Sequence, residues 1–573
     1  MNPKNYPLAF MQSLILISVL MTGCNQNKSG ESNGDSETSK PNILLIVADD
    51  MGYSDIGPFG SEINTPVLDK LAEQGVRLSG FHVLPTCSPT RSVLLSGSDN
   101  HVAGMGVMGE LSYPQLAGKD GYVGHLNDRI ATLPQVLRDN GYHTYMCGKW
   151  HLGDEEENLP SSKGFTETFI LAEGGGSHWA DSKGVSPLSH MTYHINGRVV
   201  ESLPEDFYST KNYSDSLIGF IDRSREDNKP FFGYLAYTAP HDPLHAPAEY
   251  IAKYKGMYDG GWGNLQKVRL KRLKELGIYD QDVSTFPGIP AVHDWESLSD
   301  EEKAMVSRDM EVYAAMVDYM DMSIGRVFEY LKEIGEYDNT LIIFFSDNGA
   351  NGVPPSAYPG NGDGTYLASF DNSLENRGLP NSFIDMGPGW AQAVSTPSRL
   401  FKSFTTQGGI HSPCIIKTPG KMETAGQIKN SFMHVSDLYP TILEVADATY
   451  PETYKGKPVI QPAGNSGIAY ALGKADAIHS ADHGQGWELF EMKAYIKGEW
   501  KILRLPPPFD DGNWALYNLT DDPGETTDLS DQYPEIKQEL LEGWGDYVKA
   551  NNVFDHNGHF DSIYFKVSQT FNH

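Results

Sequence analysis

The sequence predicts an α/β fold: a large, mostly parallel, mixed sheet flanked by helices, followed by a smaller C-terminal α+β domain. Three observations lead there. Continuous apolar runs alternate with segments of helical period from residue 41 to about 447, as expected for buried strands joined by crossover helices. Hydrophobic residues make up 39% of the 573, and there are 58 glycines, which fits a loop-rich globular chain rather than a disordered or fibrous one. Several apolar runs also close on charged or amide residues, and parallel sheets gather their ligands at the carboxyl ends of the strands.

Residues 1–24 stand outside this fold. After Lys4, the run "LAFMQSLILISVLMTG" has the length and small residues of a signal peptide rather than a membrane span. Its ending, "MTGC", resembles the lipobox of bacterial lipoproteins, in which the cysteine, here Cys24, becomes a lipid anchor. Plain cleavage of the leader is the alternative, because Met21 stands where leucine is usual. Residues 25–40 are polar and read as a flexible tether. The protein is therefore expected to be exported, either periplasmic or anchored to the outer membrane.

From residue 41 the elements follow in order. "PNILLIVADD" is a continuous apolar run that ends in two carboxylates, as a strand covered on both faces would be. "NTPVLDKLAEQG" has helical spacing and a glycine at its C-cap, and "VRLSGFHVL" reads as a strand. A helix is expected from about Pro89, since proline suits a first turn. Three helix-then-strand pairs come next: "TLPQVLRDNG" with "YHTYMCGKWH", "YSDSLIGFIDRSRE" with "PFFGYLAYTAPH", and "VYAAMVDYMDMSIGRVFEYLKEIG" with "DNTLIIFFSDNGA". Beyond 447 the pattern becomes hairpin strands and one amphipathic helix, "PEIKQELLEGWGDYVKAN", joined through the Pro/Gly-rich stretch 450–467. The expected division is thus 41–447 and 448–573.

Charge and cysteine count narrow the function. Asp and Glu number 75 against 44 Lys and Arg, a net charge of −31, which argues against nucleic acid as a partner. A local cationic pocket can still hold a small anion inside an acidic shell. Once Cys24 is set aside, Cys87, Cys147 and Cys414 remain, an odd number that rules out a fully paired framework. Cys87 is left open as core packing, half a disulfide, a metal ligand or a nucleophile.

The strand ends carry the candidate chemistry. Asp49, Asp50, Asp347 and Asn348 offer only oxygen ligands, which select a hard cation, and Ca²⁺ tolerates irregular geometry better than Mg²⁺. Lys149 and His151 flank Trp150 on an extended segment, so they should share one face. His241 follows an apolar run. Arg91, four residues past Cys87, would share its side of a helix. Lys402 sits just before a glycine turn. Together these make a cationic pocket around a divalent ion, suited to a tetrahedral oxyanion ester. A thiolate at its centre is out of place beside a hard cation.

Cys87-Ser88-Pro89-Thr90-Arg91 resembles the C-x-P-x-R signature of sulfatases in the alkaline-phosphatase superfamily, and "SVLLSG" continues it. "ADDMGYSD", "GKWHLG", "APHDPLHAP", "SDNGA" and "TQGGI" occur with it in that family's order, closest to bacterial arylsulfatases. The resemblance implies an alkaline-phosphatase-like catalytic domain over 41–447. It implies that a separate maturation enzyme oxidises Cys87 to Cα-formylglycine, whose hydrate is the nucleophile. One Ca²⁺ would be held by Asp49, Asp50, Asp347, Asn348 and the modified residue 87. Asp347 would help deprotonate the attacking hydroxyl, and Arg91 and Lys149 would hold the hydrate and metal-side charges. His241 and Lys402 would contact the sulfate, one of them protonating the leaving oxygen. His151 would take the proton that lets a sulfate hemiacetal expel sulfate and restore the aldehyde, so that hydrolysis splits into two displacements.

The expected substrate is a small-molecule or glycan sulfate ester. Two rivals share the motifs: a phosphonate monoester or phosphodiester hydrolase of the same superfamily, and a carbohydrate-specific sulfatase. An inactive carbohydrate-binding lipoprotein would have shed some of the residue set. His411 stands where relatives commonly have arginine, at a position expected to affect local packing more than chemistry. Cys147 and Cys414 read as buried thiols, with a bond between them as the alternative. Specificity is expected from loops such as 351–373.

Overall fold

The computed structural model describes residues 40–112, 114–289 and 292–554; the leader, Cys24 and the tether through 39 lie outside them. Ten strands form the main sheet: β1 (Asn42–Ala48), β2 (Val76–Leu78), β3 (His143–Lys149), β4 (Glu167–Leu171), β5 (Tyr193–Ile195), β6 (Arg198–Val199), β7 (Phe231–Ala236), β8 (Thr340–Ser346), β9 (Cys414–Lys417) and β10 (Ile428–Lys429). Their order across the sheet is β10-β2-β9-β8-β1-β7-β3-β4-β5-β6.

The central strands β8, β1, β7, β3 and β4 run parallel, while β9 pairs antiparallel with both β8 and β2. The sheet is therefore mixed, as expected. β1 reads NILLIVA and β8 reads TLIIFFS, and every residue of both is buried, because helices cover both faces. The flanking helices include α1 (Pro66–Gln74), α2 (Cys87–Ser96), α3 (Leu133–Asp139), α4 (Ser209–Ser224) and α5 (Asp300–Glu333).

Three local expectations shift. The strand foreseen over "VRLSGFHVL" splits into β2 and a two-residue piece, Phe81–His82. α2 begins at Cys87 rather than near Pro89. α5 starts a dozen residues earlier than its apolar pattern indicates, at a capping box in which Ser299 Oγ accepts from Glu302 N–H and Glu302 accepts from Ser299 N–H.

The smaller C-terminal sheet is antiparallel: β11 (Gly484–Leu489), β12 (Met492–Lys497), β13 (Trp500–Arg504) and β14 (Ala515–Asn518), followed by α6 (Pro534–Asn551). Its side chains alternate with a period of two. Ala494, Ile496, Leu503 and Tyr517 join the main core, while Tyr495, Ile502 and Leu516 pack with Leu540 and Trp544 of α6. One face thus lies on the catalytic body and the other is covered by its own helix. Among the described residues no helix is long and apolar enough to cross a membrane.

Candidate active site

Sheet order sets the site. Because β8, β1, β7 and β3 are neighbours and parallel, four chain segments leave the same edge side by side: Asp347–Asn348 after β8, Asp49–Asp50 after β1, the turn to His241 after β7, and Lys149–His151 at the end of β3. The first turn of α2 brings Cys87 and Arg91 beneath them, and the loop before β9 supplies Lys402.

All these side chains are buried, Asp49, Arg91, Lys149, Asp347 and Asn348 completely. Arg91 donates from Nε and Nη2 to Asp347 Oδ2 at 2.9 and 2.7 Å, and from Nη1 to the Lys149 carbonyl at 2.8 Å. Lys149 Nζ donates to both oxygens of Asp49 at 3.0 and 2.7 Å. Lys402 Nζ lies 2.7 Å from Asp50 Oδ2 and 3.3 Å from His241 Nε2. Three carboxylates therefore meet three fixed cations and the group is near neutral, a balance that buried charges need.

Electrostatics follow from this packing. Burial would raise Asp50, but Lys402, His241 and Lys149 outweigh it and hold the carboxyl well below its usual range. Burial, with Lys402 and Lys149 adding, pushes His241 down to about 4. Its neutral ring therefore donates Nδ1–H to the Asp242 carbonyl at 2.5 Å and accepts at Nε2 from Lys402. Burial and the Asp49 charge drive the Cys87 thiol well up, so an unmodified thiol here stays protonated and unreactive.

The donor set fits a hard dication. Donor atoms of Asp49, Asp50, Cys87 and His241 lie within 4.8 Å of one another. Asn348 donates from Nδ2 to Asp50 Oδ1 at 2.6 Å, while its Oδ1 is buried with no hydrogen-bond partner. An orphaned buried oxygen among carboxylates is what an oxygen-seeking cation would satisfy. The Cys87 sulfur, 3.3 Å from Asp49 Oδ1 and 3.7 Å from Asp50 Oδ1, is the one soft atom in the group.

One expectation is corrected. Strand alternation does not place His151: β3 ends at Lys149, and His151 takes a left-handed φ of 58°. Lys149 points to Asp49, whereas His151 turns into the wall of a cavity of about 610 Å³ that opens over Cys87, His241 and Lys402. Sequence reasoning also passed over three features. Glu110 lies 2.9 Å from His151 Nε2. Asp242, behind His241, accepts from Asn351 Nδ2 at 2.7 Å and from the Tyr358 hydroxyl at 3.1 Å, which ties the 351–373 loop to the site. Gly174 and Gly175 bring backbone against the rings of His151 and His241; the triple glycine after β4 was the available signal.

Cys87, Cys147 and Cys414 are all free and buried, so the alternative Cys147–Cys414 bond is absent. His411 stays out of the chemistry: its Nε2 donates to the Ser79 carbonyl at 2.6 Å, and its ring stacks on Tyr53 and His82.

A family model described as Sulfatase matches residues 41–448. An uncharacterised sulfatase of Schizosaccharomyces pombe is 45% identical over 537 residues, spanning 91% of this chain and 96% of that protein. The arylsulfatase of Klebsiella aerogenes is 40% identical over 434 residues, spanning 75% of this chain and 92% of the relative. In fold, the crystal structure of Ps i-CgsB in complex with k-i-k-neocarrahexaose superposes with a TM-score of 0.63 at 24% identity, covering 93% of this chain and 98% of the other.

Proposed function

The chain belongs to the sulfatase family, and we propose that this sulfuric ester hydrolase works as a calcium-dependent arylsulfatase whose nucleophile is a Cα-formylglycine made from Cys87. The observation that carries this reading is a buried oxygen donor set, with Asn348 Oδ1 unpartnered, built around a thiol too shielded to ionise. When present, the hydrated aldehyde supplies the attacking hydroxyl and the cation screens the charge of the sulfate.

The chain's own residues do the rest. Arg91 and Lys149 hold Asp347 and Asp49 against the centre, where Asp347 would help hold the cation and take the proton of the attacking hydroxyl. Three carboxylates against three cations leave the centre neutral, so a dication makes it doubly positive, matched to the charge that grows on sulfate. Because His241 is neutral and accepts from Lys402, the proton for the leaving oxygen rests on Lys402 and is shared with His241 Nε2. His151 has an unpartnered Nδ1 and serves as the base in the second displacement.

Met108, Leu111, Leu188, Val353 and Pro359 line the outer cavity together with Glu110, Asp154 and Glu173. An apolar wall with acidic groups favours an aryl or other apolar ester bearing one sulfate over a polyanion, and the Klebsiella aerogenes relative supports the same choice. Conversion of Cys87 belongs before folding, since Cys87, Ser88 and Arg91 are all 1% exposed or less.

The test is mass spectrometry of the residue-87 peptide from a host with the maturation enzyme, joined to kinetics on matched aryl sulfate and aryl phosphodiester. The expected outcome is the aldehyde mass, faster sulfate turnover, and loss of hydrolysis in Cys87→Ala with the fold kept. Full turnover by Cys87→Ala, or a preference for the phosphodiester, would overturn the proposal.

A further inference from the structure

Glu110 has no part in the chemistry assigned so far, yet it touches the site. It lies on a single 3₁₀ turn, Gly109–Leu111, between two apolar wall residues, Met108 and Leu111. Its side chain is about half exposed, at 53%, so as a surface ion pair it gives the fold little. What it does hold is His151. Glu110 Oε1 sits 2.9 Å from His151 Nε2, while His151 is nine-tenths buried and its Nδ1 has no partner.

These contacts fix a tautomer. An ionised carboxylate only accepts hydrogen bonds, so Nε2 must carry the proton. In the neutral ring the lone pair then belongs to Nδ1. Gly174 closes the arrangement from the other side: a Cβ there would stand 2.8 Å from Cε1 and 2.9 Å from Nε2 of the ring. The imidazole is gripped between the Glu110 carboxylate and the Gly174 backbone, with one nitrogen left over.

We propose that Glu110 is a positioning residue that holds His151 as the Nε2–H tautomer, making Nδ1 the atom that accepts a proton in the second displacement. This rests on reading His151 as the base of that step. There the O–H bond of the remaining hydroxyl on residue 87 breaks and its proton bonds to Nδ1. The freed pair forms the carbonyl as the C–O bond to sulfate breaks, and sulfate leaves with the electrons of that bond. Glu110 stays ionised opposite the imidazolium, which later returns its proton to water. The pairing follows the logic of a carboxylate behind a catalytic histidine.

The test uses the full-length, matured protein and variants E110A, E110Q and H151A with an aryl sulfate. In E110A, kcat should fall roughly 10- to 100-fold, the scale of an impaired general base, and KM should fall with it, so that kcat/KM, which reports the first displacement, is kept. The first turnover, seen as a burst of one equivalent of phenol per site, should keep its rate. E110Q can still accept from Nε2–H and should fall between E110A and the parent. A second readout needs no turnover: ¹⁵N-histidine NMR of the chain with unconverted Cys87, the His151 signal being the one missing in H151A. It should report Nε2–H in the parent and in E110Q, and a mixture in E110A. An unchanged kcat in E110A, a burst slowed as much as the steady state, or an Nδ1–H ring in the parent would overturn the role of Glu110. H151A separates the two readings: with no burst, or with full turnover, it is the assignment of His151 as the base that fails.

Discussion

At the scale of single residues, the site depends on where side chains are missing as much as on where they are. Gly174 and Gly175 follow β4 and run flat against two histidine rings, and neither has a left-handed backbone, so alanine there would meet a crowded ring rather than backbone strain. A Cβ on Gly174 would press within 2.9 Å of His151 Nε2, and one on Gly175 would stand 3.0 Å from His241 Cε1. Gly174→Ala should displace the His151 ring from Glu110 and, under the proposed role of His151 as the base, cost about tenfold or more in kcat. Thermal melting should change little. Steady-state assays beside a melt check this, and a variant with parental kcat would show that the ring can move without consequence. A tighter approach lies deeper: a Cβ on Gly349 would fall 1.8 Å from the Gly408 carbonyl, which is how "SDNGA" and "TQGG" come to lie together.

At the scale of elements, the loop that carries Lys402 is held from outside the main sheet. Lys501 on β13 is completely buried; its Nζ donates to the Thr405 carbonyl at 2.7 Å and pairs with Glu525 Oε1 at 2.6 Å. Glu525 Oε2 in turn accepts from Gln407 N–H at 2.9 Å. Removing one member of a buried pair strands the other charge, so Lys501→Met should cost about 3–5 kcal/mol of stability. The double variant Lys501→Met/Glu525→Gln leaves no uncompensated charge and keeps an acceptor for Gln407, so it should cost less. Denaturant melts of both check the order, and a double variant worse than the single would refute it. How much of this was legible beforehand follows the same physics. β1 and β8 announced themselves, because strands covered on both faces read as unbroken apolar runs and the polar residues closing them can only lie at the sheet's edge. Cys87 and Arg91 were legible through their motif and their helical spacing. The facing of His151 was not, because the strand stops at Lys149 and a left-handed residue breaks the alternation. Glu110 was silent: it sits in a Gly-rich loop without periodicity, 41 residues from the ring it holds, and only tertiary packing brings the two together.

At the scale of the whole molecule, the C-terminal sheet is sealed to the catalytic body by a charged seam as well as by apolar packing. His101 sits in a short helix, Asn100–Ala103, entirely buried, with Nδ1 2.8 Å from Asp99 Oδ1 and Nε2 3.3 Å from Glu488 Oε2 of β11. Tyr547 of α6 donates its hydroxyl to Asp99 Oδ2 at 2.8 Å. One imidazolium thus joins three chain segments. Burial opposes its charge, but Asp99 and Glu488 outweigh burial and lift His101 to about 9. The sign follows from proton linkage. A histidine raised in the folded state binds its proton more tightly there than in the unfolded chain, whose value is near 6.5. The stabilisation is therefore complete below about pH 6.5 and is lost as pH rises through about 9. At 1.36 kcal/mol per unit the shift is worth on the order of 3 kcal/mol. Denaturant midpoints measured from pH 6 to 10 should fall across that window in the parent protein, with the C-terminal sheet loosening from the body. His101→Gln cannot carry the charge, so it should start less stable at pH 6 and lose less between 6.5 and 9. A parent curve as flat as that of the variant would mean that apolar packing alone holds the seam closed.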